Sequence, residues 1–389
     1  MTTATATPPT DFDRPPDRRG TGSLKWDKFA GTDVLPFWVA DMDFVSPPAV
    51  VAAARDRVDH GVFGYGKIHP GLVEATLAYL ERSHGVVAQE EHVVWLPGLV
   101  PALNMACRAF GEVGDSVLTC SPVYPPFLSA PANADRDLID VPLRTEAGRW
   151  TFDLDAMEAA VRPDTKVFLL CNPHNPTGRV YDAGEMEAIY GFCQRHDLIL
   201  CSDEIHCDLI LDVGLVHRSA AASDNPIPGR TISLFAPSKT YNIAGLAFSL
   251  AVIPDPTLRA KFRRAGQGFL SEVNVVAQYA GEAAYRSGEP WRQELLAYLR
   301  SNRDALYTFA ESHLSGIGML PMEATYLAWM DVRALGLEDP AGFFEKEARV
   351  GLSDGRFFGL PGFVRFNFGC SRPLMLEGLN RMAAALQHL

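Results

Sequence analysis

The sequence predicts an α/β fold built on a mainly parallel sheet, with a smaller α+β layer towards the end of the chain. Three observations carry this. The runs Lys166–Cys171 and Leu198–Ser202 are apolar without alternation, as in strands buried on both faces. Such runs alternate with helical patterns along most of the chain, the signature of parallel strands joined by crossovers. Both runs also end in polar or Gly/Pro-rich loops, at the carboxyl edge where open α/β sheets bind ligands.

Composition narrows the function classes. With 389 residues, 47% hydrophobic and 21% charged, the chain can bury a large core as a soluble globular protein. A net charge of −12 argues against a broad nucleic-acid or anionic-membrane surface. The seven cysteines are scattered and odd in number, and none has C-x-x-C spacing. We therefore expect buried thiols, no disulfide framework and no metal site. No apolar run reaches the length of a membrane span. Met1–Gly22 has no signal-peptide apolar core, and Arg18-Arg19 is followed by Gly-Thr-Gly instead of an apolar stretch. A disordered tail over 1–22 and a cytoplasmic location are the expectations.

Along the chain, Leu35–Phe44 is a dense segment that places Asp41 and Asp43 among Trp38, Met42 and Phe44, ahead of an alanine-rich helix ending near Asp59. Those carboxylates either line a site or cap the helix; capping is the expected role. His60–Gly66 is a glycine-punctuated loop whose Tyr65 is either a turn residue or free to reach a ligand or a second subunit. Val93–Asn104 reads as strand, Pro97-Gly98 turn and helix, and free amides at such a helix start suit a phosphate. Val117–Cys120 is a strand leading into Ser121-Pro-Val-Tyr-Pro-Pro126, where three prolines fix Tyr124 for packing or for stacking on a flat ring.

Lys166–Cys171 ends in Asn172-Pro-His-Asn-Pro-Thr-Gly-Arg179, and a helix over 182–196 follows. Leu198–Ser202 runs into Asp203-Glu204; an internal ion pair or cap accounts for Glu204, whereas Asp203 calls for a cationic partner. Thr231–Phe235 leads to Ala236-Pro-Ser-Lys-Thr-Tyr-Asn242. Lys239 is either an ordinary surface lysine or a desolvated one with lowered pKa, which is a nucleophile towards carbonyls. Phe248–Ile253 is a further strand, and helical patterns fill 256–285 and 291–314. Tyr326–Met330 and Gly362–Gly369 are strand-like, with a last helix from Pro373. Arg365, within Phe-Val-Arg-Phe-Asn-Phe, needs an anion, either a protein carboxylate or a substrate carboxylate held by both nitrogens.

Asn175, Asp203, Lys239 and Arg365 fall in one order at intervals of 28, 36 and 126 residues. This ordered set resembles the class I/II aminotransferase family of fold-type I pyridoxal 5′-phosphate (PLP) enzymes, from about Trp26 onwards. Trp38–Phe44, Gly61–Tyr65, Ala236–Leu246 and Thr325–Trp329 narrow the resemblance to the cystathionine β-lyase-type C–S lyase branch. The resemblance implies a large PLP domain over 48–285 with helices on both faces of its sheet. It also implies a small domain over 286–389, with which the segment 23–47 packs.

By the same resemblance, Lys239 tethers PLP covalently and then serves as base at Cα. Asp203 pairs with the ring nitrogen, Asn175 bonds the ring hydroxyl and Tyr124 stacks on the ring, with His206 also at the cofactor. The amides of Gly98, Leu99 and Val100, together with Ser238, hold the phosphate. Tyr65 reaches the phosphate of the neighbouring subunit, implying a homodimer. Arg365 binds the substrate carboxylate, with Trp38, Ala40, Tyr326 and Asn175 around it.

Two positions depart from the wider family. Ala247 stands where many aminotransferases carry a phosphate-binding arginine, and Ala236 where serine is common. The implied reaction is α,β-elimination from L-cystathionine or another S-substituted L-cysteine. A transaminase, or an oxidative or decarboxylative deaminase, would share the same residues. A ligand-sensing regulator of this fold carries a DNA-binding head, for which the 25 residues before Trp26 leave no room.

Overall fold

A computed structural model of the chain describes residues 10–389. Seven strands form the central sheet: β1 (Val93–Leu96), β2 (Ser116–Thr119), β3 (Asp137–Asp140), β4 (Thr165–Cys171), β5 (Ile199–Asp203), β6 (Thr231–Phe235) and β7 (Ser249–Val252). Their order is β1-β7-β6-β5-β4-β2-β3. Only β7 runs against its neighbours. Along β4, Val167, Leu169 and Cys171 enter one apolar core while Phe168 and Leu170 enter another. Both faces of the strand are therefore dry, which is why its sequence shows no alternation.

Helices α1 (Pro48–Asp59), α2 (Pro70–His84), α3 (Leu99–Ala109), α4 (Pro125–Asn133) and α5 (Ala183–Arg195) punctuate the first half. Asp182 caps α5 reciprocally with Glu185, so the helix starts where its sequence signal places it. The helical pattern over 256–285 is in fact two helices, α6 (Pro256–Gly266) and α7 (Val275–Ser287). Gly268 takes a left-handed φ of 90° between them, and Asn274 caps the second. The long α8 (Glu289–His313) then leads into a second sheet of β8 (Gly318–Met319), β9 (Leu327–Asp331), β10 (Ser353–Asp354) and β11 (Phe363–Asn367), in the order β8-β9-β11-β10. Helix α9 (Arg372–Leu386) ends the fold. No helix among the described residues is long and apolar enough to cross a membrane.

The N-terminal segment joins this second layer. Leu35–Pro36 pairs in parallel with Val350–Gly351, and Phe37 stacks on Phe366 with ring centroids 4.3 Å apart. Composition suggests a disordered tail over 1–22; its first nine residues lie outside the described ones, but residues 10–22 are held against the body. Phe12 is buried between Phe44 and Trp291, at 4.9 and 5.8 Å. Arg18 reaches Asp41 at 2.8 Å and Asp43 at 3.0 Å. One aromatic anchor and one paired guanidinium order a stretch whose average composition is polar.

Asp41 and Asp43 do not cap α1, whose N-cap is Pro47 and receives no side-chain bond. Asp43 instead meets the fully buried Lys25 at 2.9 Å and accepts from Trp26 Nε1 at 2.9 Å. Removing one partner of such a pair leaves an uncompensated buried charge, at a cost of about 3–5 kcal/mol. Asp43→Ala is therefore expected to lower the thermal unfolding midpoint clearly, whereas Asp17→Ala, on the exposed surface, should leave it unchanged. Scanning calorimetry of the two variants checks this.

Candidate functional site

The carboxyl ends of β4, β5 and β6 and the start of α3 surround a cavity of about 290 Å³. Lys239 projects from the loop after β6. Its Nζ donates to the Ala40 carbonyl at 2.6 Å. Burial, reinforced by the charge of Arg365, pushes its pKa down to about 8. Lysine in that state is a usable base and nucleophile near neutral pH.

Asp203, the last residue of β5, is buried on the cavity wall and accepts one bond, from the Ile205 amide at 3.1 Å. Burial pushes its carboxyl up to about 7. No cation lies within salt-bridge reach of it among the described residues. Its neighbour Glu204 points the other way, to His217 at 2.8 Å and the Ala220 amide at 3.0 Å, as an internal pair. His206 is buried beside the cavity; burial and the nearby Lys239 and Arg365 charges hold its imidazole neutral, with a pKa of about 3.

Tyr124, fixed ahead of α4 by its flanking prolines, forms another wall. Gly98, at φ 114°, precedes α3 and lines the cavity with Leu99, Val100 and Ser238, but its own amide, expected at the phosphate, donates instead to Ser249 Oγ at 3.1 Å. That backbone conformation excludes an ordinary side chain, and the helix start is a ready anion cradle.

Arg365 on β11 is 4% exposed. Its Nη1 donates to Asn175 Oδ1 at 3.0 Å, and its Nη2 to the Trp38 carbonyl at 2.8 Å and Ser353 Oγ at 3.3 Å. The Phe358 ring lies 4.7 Å from the guanidinium carbon, and Nε has no partner. Among the described residues it has no carboxylate partner, so a protein ion pair does not account for it. Burial lowers its pKa to about 10. A desolvated guanidinium held only by neutral acceptors is a receptor for an external anion.

Tyr326 donates to the same Ala40 carbonyl at 3.1 Å. Trp38 takes part through its backbone; its indole turns away, donating to the Lys25 carbonyl at 3.0 Å and lying under Lys28. Tyr65 is fully exposed, with Val62 and Phe63 also exposed beside it, and does not line this protomer's cavity. Two residues escaped the sequence reading. Asn242, in a left-handed φ of 54°, clamps the N-terminal segment through bonds to the Met42 amide and to the Met42 and Phe44 carbonyls. Ser353 orients Arg365 while donating to the Trp38 carbonyl at 2.7 Å. An asparagine three residues after the lysine was the only available hint of the first.

A site made of a depressed lysine, a buried carboxyl and a helix-start cradle at a parallel sheet's edge defines a class of cofactor-dependent amino-acid enzymes. The chain belongs to the aminotransferase class I and II family, matching it over residues 32–382. It is 38% identical to cystathionine beta-lyase PatB of Bacillus subtilis over 97% of this chain and 100% of that protein. The crystal structure of OvoB superposes with a TM-score of 0.93 at 48% identity, over 97% of this chain and 99% of that one. Cystalysin from Treponema denticola, crystallised with a pyridoxal 5′-phosphate cofactor, also has a TM-score of 0.93, at 31% identity over 97% and 99% of the two chains.

The Asp203 shift has a stability signature. The folded pKa of about 7 lies above the unfolded value of about 3.9, so the folded chain holds a proton that the unfolded chain releases. Its contribution is fully present below about pH 4 and is lost as pH rises through about 7. In cofactor-free protein, Asp203→Asn should raise the melting temperature at pH 8, with the gain shrinking towards pH 4. Thermal melts across that range check it.

Proposed function

We propose that the protein is a PLP-dependent C–S lyase that converts L-cystathionine or another S-substituted L-cysteine to a thiol, pyruvate and ammonia. The observation that carries the reading is the presence, at one cavity, of Lys239 and a buried guanidinium with no carboxylate partner among the described residues, in a chain matching a cystathionine beta-lyase over 97% of its length.

The residues fit PLP. Lys239 would hold its aldehyde carbon, Asp203 its ring nitrogen, Asn175 its ring hydroxyl, Tyr124 its face, and the α3 amides with Ser238 its phosphate. When bound, PLP supplies an electron sink for charge developing at the substrate Cα. Arg365 binds the substrate carboxylate, and Asn175, already bonded through Oδ1, is fixed beside it. Lys239 would remove the Cα proton; its lowered pKa leaves the free amine available. Asp203 would be drawn to its ionised form by a cationic ring nitrogen and would hold that nitrogen's proton. The neutral His206 adds no competing positive charge to the cavity wall. Ala40 and Tyr326 give the lysine ammonium and the substrate a fixed, partly dry wall.

We further infer that the protein works as a homodimer in which Tyr65 completes the partner's phosphate site. Its full exposure, within an apolar stretch that also exposes Val62 and Phe63, supports this. A cytoplasmic location agrees with seven cysteines that are all buried and unpaired.

Purified protein supplied with L-cystathionine, without any keto acid, is expected to release pyruvate and free thiol. Glutamate from 2-oxoglutarate and an amino donor, in the absence of pyruvate, would overturn the lyase assignment. Lys239→Ala should lose both the turnover and the visible absorbance of the lysine-bound cofactor. Arg365→Ala removes two charge-assisted bonds and is expected to lower kcat/KM by about 10²–10³. Tyr65→Phe should speed cofactor loss on dialysis while the sedimentation coefficient stays that of a dimer.

A further inference from the structure

A second cluster of chemically active side chains lies behind the wall of the cavity. His84 ends α2, and Cys207 and Asp208 lie on the turn beyond β5, 123 and 124 positions further on. His84 Nε2 is 3.4 Å from Cys207 Sγ and 3.2 Å from Asp208 Oδ1, and the three donor atoms lie within 4.8 Å of one another. All three side chains are essentially buried.

These separations have a definite meaning. Zinc bonds of about 2.0–2.1 Å to nitrogen, 2.3 Å to sulfur and 2.0–2.2 Å to oxygen give tetrahedral edges of roughly 3.3–3.6 Å. The N–S and N–O edges here match that to within a few tenths of an ångström, and the S–O edge, within 4.8 Å, would close on a bound ion. The outer contacts are also those of a ligand set. Asp208 Oδ2 accepts from Tyr79 at 2.6 Å and from Thr240 at 3.3 Å, which leaves Oδ1 to face the histidine.

Several polar contacts of the cluster converge on one nitrogen. Nε2 has one hydrogen or one lone pair, yet it faces Oδ1, Sγ and the Tyr79 oxygen, the last at 2.9 Å. The Tyr79 hydrogen is directed to Oδ2, so at most one of the remaining contacts can be a hydrogen bond. A cation at the centre would let nitrogen, sulfur and oxygen all direct lone pairs inward. An opening of about 510 Å³, lined by all three residues, adjoins them and leaves room for water as a fourth ligand.

We propose that His84, Cys207 and Asp208 form a binding site for a divalent, borderline-soft metal ion, zinc by preference. The mixture of imidazole, thiolate and carboxylate selects zinc over magnesium or calcium. On binding, the Cys207 thiol loses its proton to solvent and the sulfur–metal bond forms; no electron is transferred. The site joins the end of α2 to the turn that carries His206, and so braces the cavity wall from behind.

The test uses the cofactor-loaded protein, treated with EDTA, desalted and titrated with zinc sulfate. Elemental analysis after gel filtration is expected to find one zinc per protomer. Cobalt(II) should give tetrahedral visible bands at longer wavelength than the cofactor absorbance. Cys207→Ser and His84→Ala should each weaken zinc binding at least tenfold and abolish the cobalt bands, while His217→Ala, at the neighbouring pair, should retain both. Gel-filtration position and cofactor absorbance show whether each variant is folded, and Cys207→Ala replaces Cys207→Ser if that variant is not. Failure of the wild-type protein to take up stoichiometric metal overturns the proposal, as does equal uptake by wild type and the cysteine variants.

Discussion

The structure depends on how one irregular segment, residues 38–42, satisfies its backbone. It has no strand beside it, so its carbonyls must find donors elsewhere or remain unpaired in a dry interior. Side chains supply them. Trp38 accepts from Arg365 and Ser353, Val39 from Asn367, Ala40 from Lys239 and Tyr326, Asp41 from Asn367, and Met42 from Asn242 and Arg18. The donors come from the N-terminal stretch, the lysine loop and the second sheet. A single strip of main chain thus fixes the reactive lysine and the arginine relative to each other, although they belong to different layers.

Charge is arranged with the same economy. Lys239, Asp203 and Arg365 are all desolvated, and each is displaced towards its neutral form. Elsewhere in the chain buried charges are matched internally, as Lys25 is by Asp43 and Arg179 by Glu185 at 2.7 Å and by Glu323. The contrast locates function. Pairing marks architecture, whereas the unpaired groups around the cavity await an external partner of opposite charge. In the proposed function a cationic ring nitrogen and a substrate carboxylate are these partners.

What could be read from the sequence follows from how local each cause is. β4 and β5 were legible because burial on both faces leaves an uninterrupted apolar run, and α5 because its capping box is complete within four residues. Asp203, Lys239 and Gly98 were legible because a strand end or turn positions each of them. The clamp by Asn242 and the bonds from Asn367 were not, since their partners lie 200 and 326–328 positions away. Asp41 and Asp43 were misassigned as caps for the same reason: Arg18 and Lys25 precede them by 16 or more residues and carry no local mark. The order of residues 10–22 rests on Phe12 meeting Trp291, a contact that composition cannot report.

The turn after β5 shows how closely the two kinds of environment are joined. Asp203 and His206 face the cavity, Glu204 faces His217, and Cys207 and Asp208 face His84. Six consecutive residues therefore serve three surroundings, because the chain leaves the sheet there and its side chains no longer alternate between two faces. Glu204 and Asp208 anchor the turn to the body of the domain, and Arg292 adds a bond to the Asp208 carbonyl at 2.8 Å. That anchoring is what permits Asp203 to stay buried and unpaired. A carboxyl in a mobile turn would swing to water and lose its raised pKa, whereas one held from behind keeps the dry environment in which an external cation is its best available partner.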